Sequence, residues 1–285
     1  MDSKKRILET LSYFNFFNYP LTKEEIWQFT KTDKTKEHFF KYLKTLNISS
    51  YKSFYYLKNR KDVYQRLEKE KISSQKIIKA LPIIKKLSFL PTVEFIGISG
   101  SLAMKNSSLD EDIDIFVISK NNLTWFTRLM LVLLLSLFGV YRKKRQVNTK
   151  DKICLNLIIG KESIGFIKKR QSIYIAHEIV QLLPVFQRQN CYFDFLNQND
   201  WVFNFFPNIK TRIKGYKIFF NAEDNFFNKI LVWFLNITRV EKFARILQWE
   251  YMKNDVTIET VEDNFLAFHP QNTEKKVNVF LKRNA

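Results

Sequence analysis

The spacing of apolar positions divides the chain into a series of elements. Ile7, Leu8, Leu11 and Phe14 recur at helical intervals, and Asn18-Tyr19-Pro20 stops that helix. Thr22-Lys-Glu-Glu25 has the form of a capping box, so a second helix starts there and carries Ile26, Trp27 and Phe29. Asp33 offers a cap for a third helix bearing Phe39, Phe40, Leu43 and Leu46, and residues 51–57 read as a strand that could belong to a wing hairpin. Residues 58–90 form a basic helix without glycine that ends near Pro91. Apolar runs then mark strands at 93–98 and 115–118, an apolar helix at 123–141, a strand at 152–159 and an apolar helix at 172–186. Strict alternation over 153–159 places Ile153, Leu155, Leu157 and Ile159 on one face, with Cys154, Asn156 and Ile158 on the other. Beyond about residue 190 the pattern is aromatic and helical.

This order predicts an α+β chain in four parts: a module over 1–60, a linker helix over 61–90, a sheet-centred core over 91–187 and a mainly helical region over 188–285. The first part resembles a winged helix-turn-helix. Its third helix would present Lys34, Lys36, Lys41 and Lys44 outward, and in a DNA-binding winged helix that element enters the major groove. A packing or protein-contact role for the module is equally consistent with the pattern.

The chemistry concentrates between residues 95 and 119. An apolar strand stops at Gly100-Ser101, and Asp112-Ile113-Asp114 leads into the next strand. Alternation points both aspartates to one face, where their mutual repulsion needs a cation or a hydrogen-bonded site to offset it. A hard divalent ion held by one or two carboxylates plus phosphate oxygens meets that need. The glycine-serine turn opens a short helix whose free N–H groups suit phosphate. A solvated acidic loop over 110–114 is the competing reading, but it leaves the interleaved apolar residues unexplained.

Gly100, Ser101, Asp112 and Asp114, in this order and context, resemble the signature of the DNA polymerase β-like nucleotidyltransferase superfamily. The resemblance covers about residues 93–160. It implies a mixed sheet flanked by helices, a nucleoside triphosphate substrate, and Mg²⁺ or Mn²⁺ on Asp112 and Asp114. Gly100 and Ser101 would cradle the outer phosphates and Lys105 is a further candidate contact, while Arg128 either reaches the triphosphate from the start of its helix or forms a salt bridge on the helix surface. A third acid is common on the following strand of such proteins, and Asn156 stands in that slot. An amide oxygen can ligate a metal but cannot act as a base. Asp151 and Glu162, which flank that strand, are the candidate substitutes. His177-Glu178 could touch substrate or form a core pair, and the absence of His-Glu-x-x-His excludes zinc-protease chemistry.

Composition sharpens the choice of partner. The 285 residues carry 47 Lys and Arg against 28 Asp and Glu, for a formal charge of +19. Residues 1–90 alone hold 20 of those bases and 9 of the acids, which favours RNA, DNA or an anionic surface as partner. The Arg142–Arg145 basic loop is either a solvated turn or a phosphate contact. Two cysteines, Cys154 and Cys191, give neither a disulfide framework nor a zinc spacing, and Cys154 reads as a core residue. A reducing cytoplasm is the expected setting. The 123–141 helix is interrupted by Arg128 and is short for a span, so it is expected to pack on the sheet rather than enter a membrane.

Overall fold

The computed structural model describes residues 3–143, 146–165, 167, 171–253, 260–268 and 272–284. Helix α1 (Ser3–Phe16) leads to strand β1 (Leu21–Thr22), α2 (Lys23–Phe29), α3 (Lys36–Thr45), β2 (Ser50–Tyr51) and β3 (Phe54–Tyr55). The short strands pair antiparallel in the order β1-β3-β2. Thr22 and Glu25 form both hydrogen bonds of the capping box. Helix α3 is capped by Thr35 rather than Asp33, its hydroxyl accepting from the His38 N–H. The strand read over 51–57, with a wing hairpin as its setting, resolves into β2 and β3, a tight hairpin that turns at Lys52 and Ser53 with positive φ at both.

The basic helix is α4 (Lys61–Leu87), and it fastens this module to the rest. Its buried Arg66 lies 3.7 Å over the Tyr19 ring and pairs with Glu25 at 3.0 Å and Glu70 at 2.9 Å. The Tyr19 hydroxyl donates to the Met104 carbonyl at 2.8 Å.

The rest of the chain builds one sheet. In order come β4 (Val93–Ile98), α5 (Gly100–Ala103), β5 (Ile113–Ser119), α6 (Thr124–Leu137), β6 (Ile153–Gly160), α7 (Ile173–Gln181), β7 (Leu183–Arg188) and α8 (Cys191–Gln198). Then follow α9 (Val202–Phe205), α10 (Lys210–Lys214), β8 (Phe220–Ala222), α11 (Phe226–Ile237), α12 (Val240–Met252), β9 (Thr260–Glu262), β10 (Phe265–Ala267) and α13 (Asn272–Asn284). The strand order is β8-β7-β4-β5-β6-β10-β9, with β5–β6 and β7–β8 parallel and the other pairs antiparallel. Apolar residues cover both faces. Phe95, Phe116, Ile118 and Ile159 join the first module, α7 and α8 on one side. Ile96, Ile98, Ile113, Ile115 and Val117 pack with α4, α6 and α12 on the other. The chain is therefore α+β, a mixed sheet with helices on both faces.

Three expectations need correction. The helix expected over 172–186 ends at Gln181, and 183–188 is the strand β7. Pro184 is tolerated there because it falls where the β4–β7 register shifts, so a missing N–H breaks no regular ladder. The region after 188 is largely helical, but it also supplies β8, β9 and β10 to the sheet. Alternation also fails in β6: Ile115 pairs with Leu155 but Phe116 with Leu157, so Asn156 is the extra residue of a β-bulge. The bulge reverses the second half of the strand. Ile159 joins the Phe95 and Phe116 side, whereas Ile153, Leu155 and Ile158 lie on the opposite one. Helix α6 buries Trp125, Leu131 and Leu135 against the sheet as expected, and among the described residues no helix is long and apolar enough to cross a membrane.

Candidate active site

Strand β5 begins between two neighbours that bring acids together. Ile113 and Ile115 are buried in the core, so Asp112 and Asp114 turn to the opposite face. Across the parallel pairing Asp114 lies opposite Cys154. One ligand atom from each of Asp112, Asp114 and Cys154 lies within 4.8 Å of the others, and all three residues keep some exposure. Cys154 is thus at the edge of the acidic group, not in the core as its pattern suggests. Burial, with the Asp114 charge beside it, raises its thiol well above the ordinary range, so it stays protonated. The hard donors here are carboxylates.

Gly100 meets this group from β4. The Ser99 N–H donates to the Asp114 carbonyl at 2.9 Å, and Gly100 follows with φ of +62°. A Cβ at Gly100 would stand 2.9 Å from Asp114 Oδ2. The position thus needs glycine both for its backbone conformation and for clearance. Helix α5 behind it is four residues long, a single turn, so its dipole is small. Ser101 is committed elsewhere: its hydroxyl donates to Glu111 Oε2 at 2.6 Å, and Ser108 donates to Oε1 at 2.7 Å. Burial opposes the Glu111 charge, but these hydrogen bonds outweigh it and hold the carboxyl below its ordinary value. Glu111 gave no signal in the sequence because it stands outside the Asp112–Asp114 alternation, just before β5.

Among the described residues, Arg142 brings a cation to this group. Its Nε forms an ion pair of 2.8 Å with Asp112 Oδ2, and Nη1 donates to Cys154 Sγ at 3.3 Å. Burial disfavours its charge, yet Cys154, Asp112 and Asp114 together raise its pKa above the ordinary value. The basic loop therefore does reach the acidic group through Arg142; Lys144 and Arg145 lie outside the described residues.

Two cavities flank the sheet face. The larger, about 550 Å³, is lined mainly by apolar residues such as Phe116, Leu157 and Ile179, together with Ser99, Asn156, Glu178 and Glu274. Asn156 donates to Ser99 Oγ at 3.3 Å, while its Oδ1 is buried with no hydrogen-bond partner among the described residues. The smaller cavity, about 140 Å³, is lined by Gly100, Ser101, Tyr174 and Glu178 among others. Glu178 on α7 borders both. Burial and the nearby Asp114 charge push its carboxyl up to about 7. Asp151 is held by Lys79 at 2.6 Å, and Glu162 accepts from the Asn122 N–H at 3.1 Å, so neither of the two flanking acids stands in for the third carboxylate. Glu178, whose carboxyl feels the Asp114 charge, is the acid that lines both cavities. Its only sequence signal was the His177-Glu178 pair.

The remaining candidates disperse. His177 is buried in an aromatic cage, stacked 3.8 Å from Tyr13 and 4.4 Å from Phe206; burial holds it well below its ordinary pKa. Lys105 is exposed, and its carbonyl accepts from Arg66 at 3.4 Å. Arg128 does not reach the cleft: it is buried beneath α12, donating to Gln248 Oε1 at 2.5 Å and lying 4.7 Å from the Phe268 ring. Lys34, Lys36, Lys41 and Lys44 are all exposed on or beside α3, with Lys36 paired to Glu24 at 2.7 Å. No family model, curated protein or solved structure matches this chain.

Proposed function

We propose that the chain is a nucleotidyltransferase that moves a nucleoside monophosphate from a nucleoside triphosphate to a hydroxyl acceptor. The observation that supports it is the meeting of Asp112 and Asp114 with Gly100, whose missing side chain leaves the Asp114 carboxylate its room. The donor set fits Mg²⁺ or Mn²⁺, because carboxylates are hard ligands and the protonated Cys154 is a poor one. A divalent ion held by Asp112 and Asp114 would supply positive charge against the phosphates. Arg142 would be displaced from Asp112 on loading and is then well placed to pair with phosphate oxygens.

Glu178 takes the acceptor proton in this reading, the part Asn156 cannot play. The acceptor oxygen bonds to the α-phosphorus, the bond from the α-phosphorus to the oxygen bridging it to the β-phosphorus breaks, pyrophosphate leaves with that oxygen, and the acceptor proton passes to Glu178. The larger cavity gives the acceptor its room, with Asn156 Oδ1 ready to accept a hydrogen bond from it. Labelled ATP, CTP, GTP and UTP offered with Mg²⁺ or Mn²⁺ and total cellular RNA test the proposal. Asp112→Ala and Asp114→Ala each abolish transfer; full activity in either variant ends it.

A second reading is a regulator that has lost transfer and binds DNA through a winged helix. The Arg142–Asp112 pair and Asn156 in the acid's slot favour it, as do the helix order of residues 3–55 and the exposed lysines of α3. A steeply salt-dependent DNA shift with no transferred label would establish that reading instead.

A further inference from the structure

Helix α11 has a composition that belongs in a protein interior. Nine of its twelve residues are apolar, among them Phe226, Phe227, Leu231, Trp233, Phe234 and Ile237, yet none is buried. Phe227 is 78% and Trp233 64% exposed. An exposed apolar surface of this extent is ordinarily covered by a partner or by lipid. Nor is α11 a loose end. The next helix, α12, is firmly fixed to α6: Glu241 accepts from the Trp125 and Phe126 N–H groups at 2.8 and 2.9 Å, and Gln248 donates to the Trp125 carbonyl. The outer side of α12 continues the apolar surface with Phe243, Ile246, Leu247 and Tyr251 exposed, and Leu133 and Leu137 of α6 are exposed as well.

We propose that the α11–α12 hairpin seats this protein on an anionic lipid bilayer, with α11 lying in the interface. Three features select lipid over a protein partner, and a fourth sets the orientation of the helix. Asn228, Lys229 and Asn236 share one side of α11 and apolar residues cover the rest, the pattern of a helix lying in a lipid interface, whereas a second copy would bring another chain of formal charge +19 against it. Twelve residues extend about 18 Å, too short for a hydrocarbon layer of about 30 Å, so the helix lies along the surface instead of crossing it. Its surroundings carry exposed cations: residues 225–253 contain Lys229, Arg239, Lys242, Arg245 and Lys253 against Glu241 and Glu250; Arg245 pairs with Asp263, Lys253 pairs with Glu250 and Glu241 caps α6, which leaves Lys229, Arg239 and Lys242 exposed beside the apolar surface. Trp233, Trp249 and Tyr251 have the amphipathic rings that concentrate at headgroup level. This inference is independent of the transferase reading.

The test is flotation of the full chain with vesicles of phosphatidylcholine alone or mixed with phosphatidylglycerol. The expected result is flotation with the anionic vesicles, weakened by salt, with a blue shift of tryptophan emission that Trp233→Phe largely removes. Trp233→Ser combined with Phe234→Ser lowers partitioning by on the order of tenfold or more, and Lys229→Glu with Lys242→Glu lowers it by roughly fivefold per residue. All four positions are exposed, so melting temperature should remain near that of the wild type. The proposal is overturned if the folded chain does not float at low salt. It is equally overturned if the serine variant only converts a concentration-dependent dimer to monomer without changing vesicle binding, which would assign the surface to a second copy.

Discussion

Gly100→Ala offers the sharpest test of how the candidate site is built. The backbone at Gly100 is left-handed, with φ of +62°. An alanine there costs about 1–2 kcal/mol in conformation alone. Its Cβ would also come within 2.9 Å of Asp114 Oδ2, closer than ordinary contact, so the carboxylate must shift by a few tenths of an ångström. Gly139→Ala is the matched control. Gly139 ends α6 with φ of +67°, and nothing lies within 4 Å of the Cβ it would gain. Both variants should lose a similar 1–2 kcal/mol, a melting shift of a few degrees. Only Gly100→Ala should weaken Mn²⁺ binding, by on the order of tenfold, because only there is a ligand displaced. Calorimetric titration of metal-free protein reads the affinity, and a thermal scan reads the stability. Equal Mn²⁺ affinity in folded Gly100→Ala and wild type would refute the role assigned to that glycine.

Other variants probe the surroundings. Glu178 keeps its proton up to about pH 7 in the folded chain but only to about 4.3 when unfolded, so stability falls as pH rises between those values. Glu178→Gln removes that loss, and in metal-free melts the variant gains about 1–3 kcal/mol on wild type between pH 4 and 8; parallel curves would count against it. His177 shifts the opposite way: buried and neutral when folded, it costs stability as pH falls below about 6.5, where the unfolded chain gains a proton. His177→Phe flattens that acid limb, at a cost of about 1 kcal/mol at pH 8 for the lost Gln181 contact. Arg66→Ala leaves Glu25 without its buried partner and should destabilise by about 3 kcal/mol, measured by urea unfolding; a loss under about 1 kcal/mol would show that the linker helix does not fasten the first module.

What could be read from the sequence follows from how local each signal is. The Thr22–Glu25 cap and the long basic helix are set by neighbours a few residues apart, and both appear where the pattern puts them; Gly100 stands 12 and 14 residues before Asp112 and Asp114 and reaches Asp114 through the pairing of β4 with β5. The strand at 183–188 was hidden because Leu182 to Phe186 is a continuous apolar run with no period to separate helix from strand, although Pro184 argued against a helix. The bulge at Asn156 is set by pairing with β5, a partner about 40 residues away, and so leaves no mark on β6 itself. Glu178 enters the site only through the packing of α7, and Arg128 leaves it only because α12 covers it from 120 residues further along.

The margins of the large sheet bear on any attempt to divide this protein. Strand β8 closes one margin beside β7, and the β9–β10 hairpin closes the other beside β6. A fragment truncated near residue 187 would uncover rows of N–H and C=O groups on both flanks at once, an invitation to strand addition between molecules. Such a fragment, though it carries both aspartates and Gly100, is expected to precipitate, and fragment studies of this site will need the C-terminal third of the chain present, covalently or in trans.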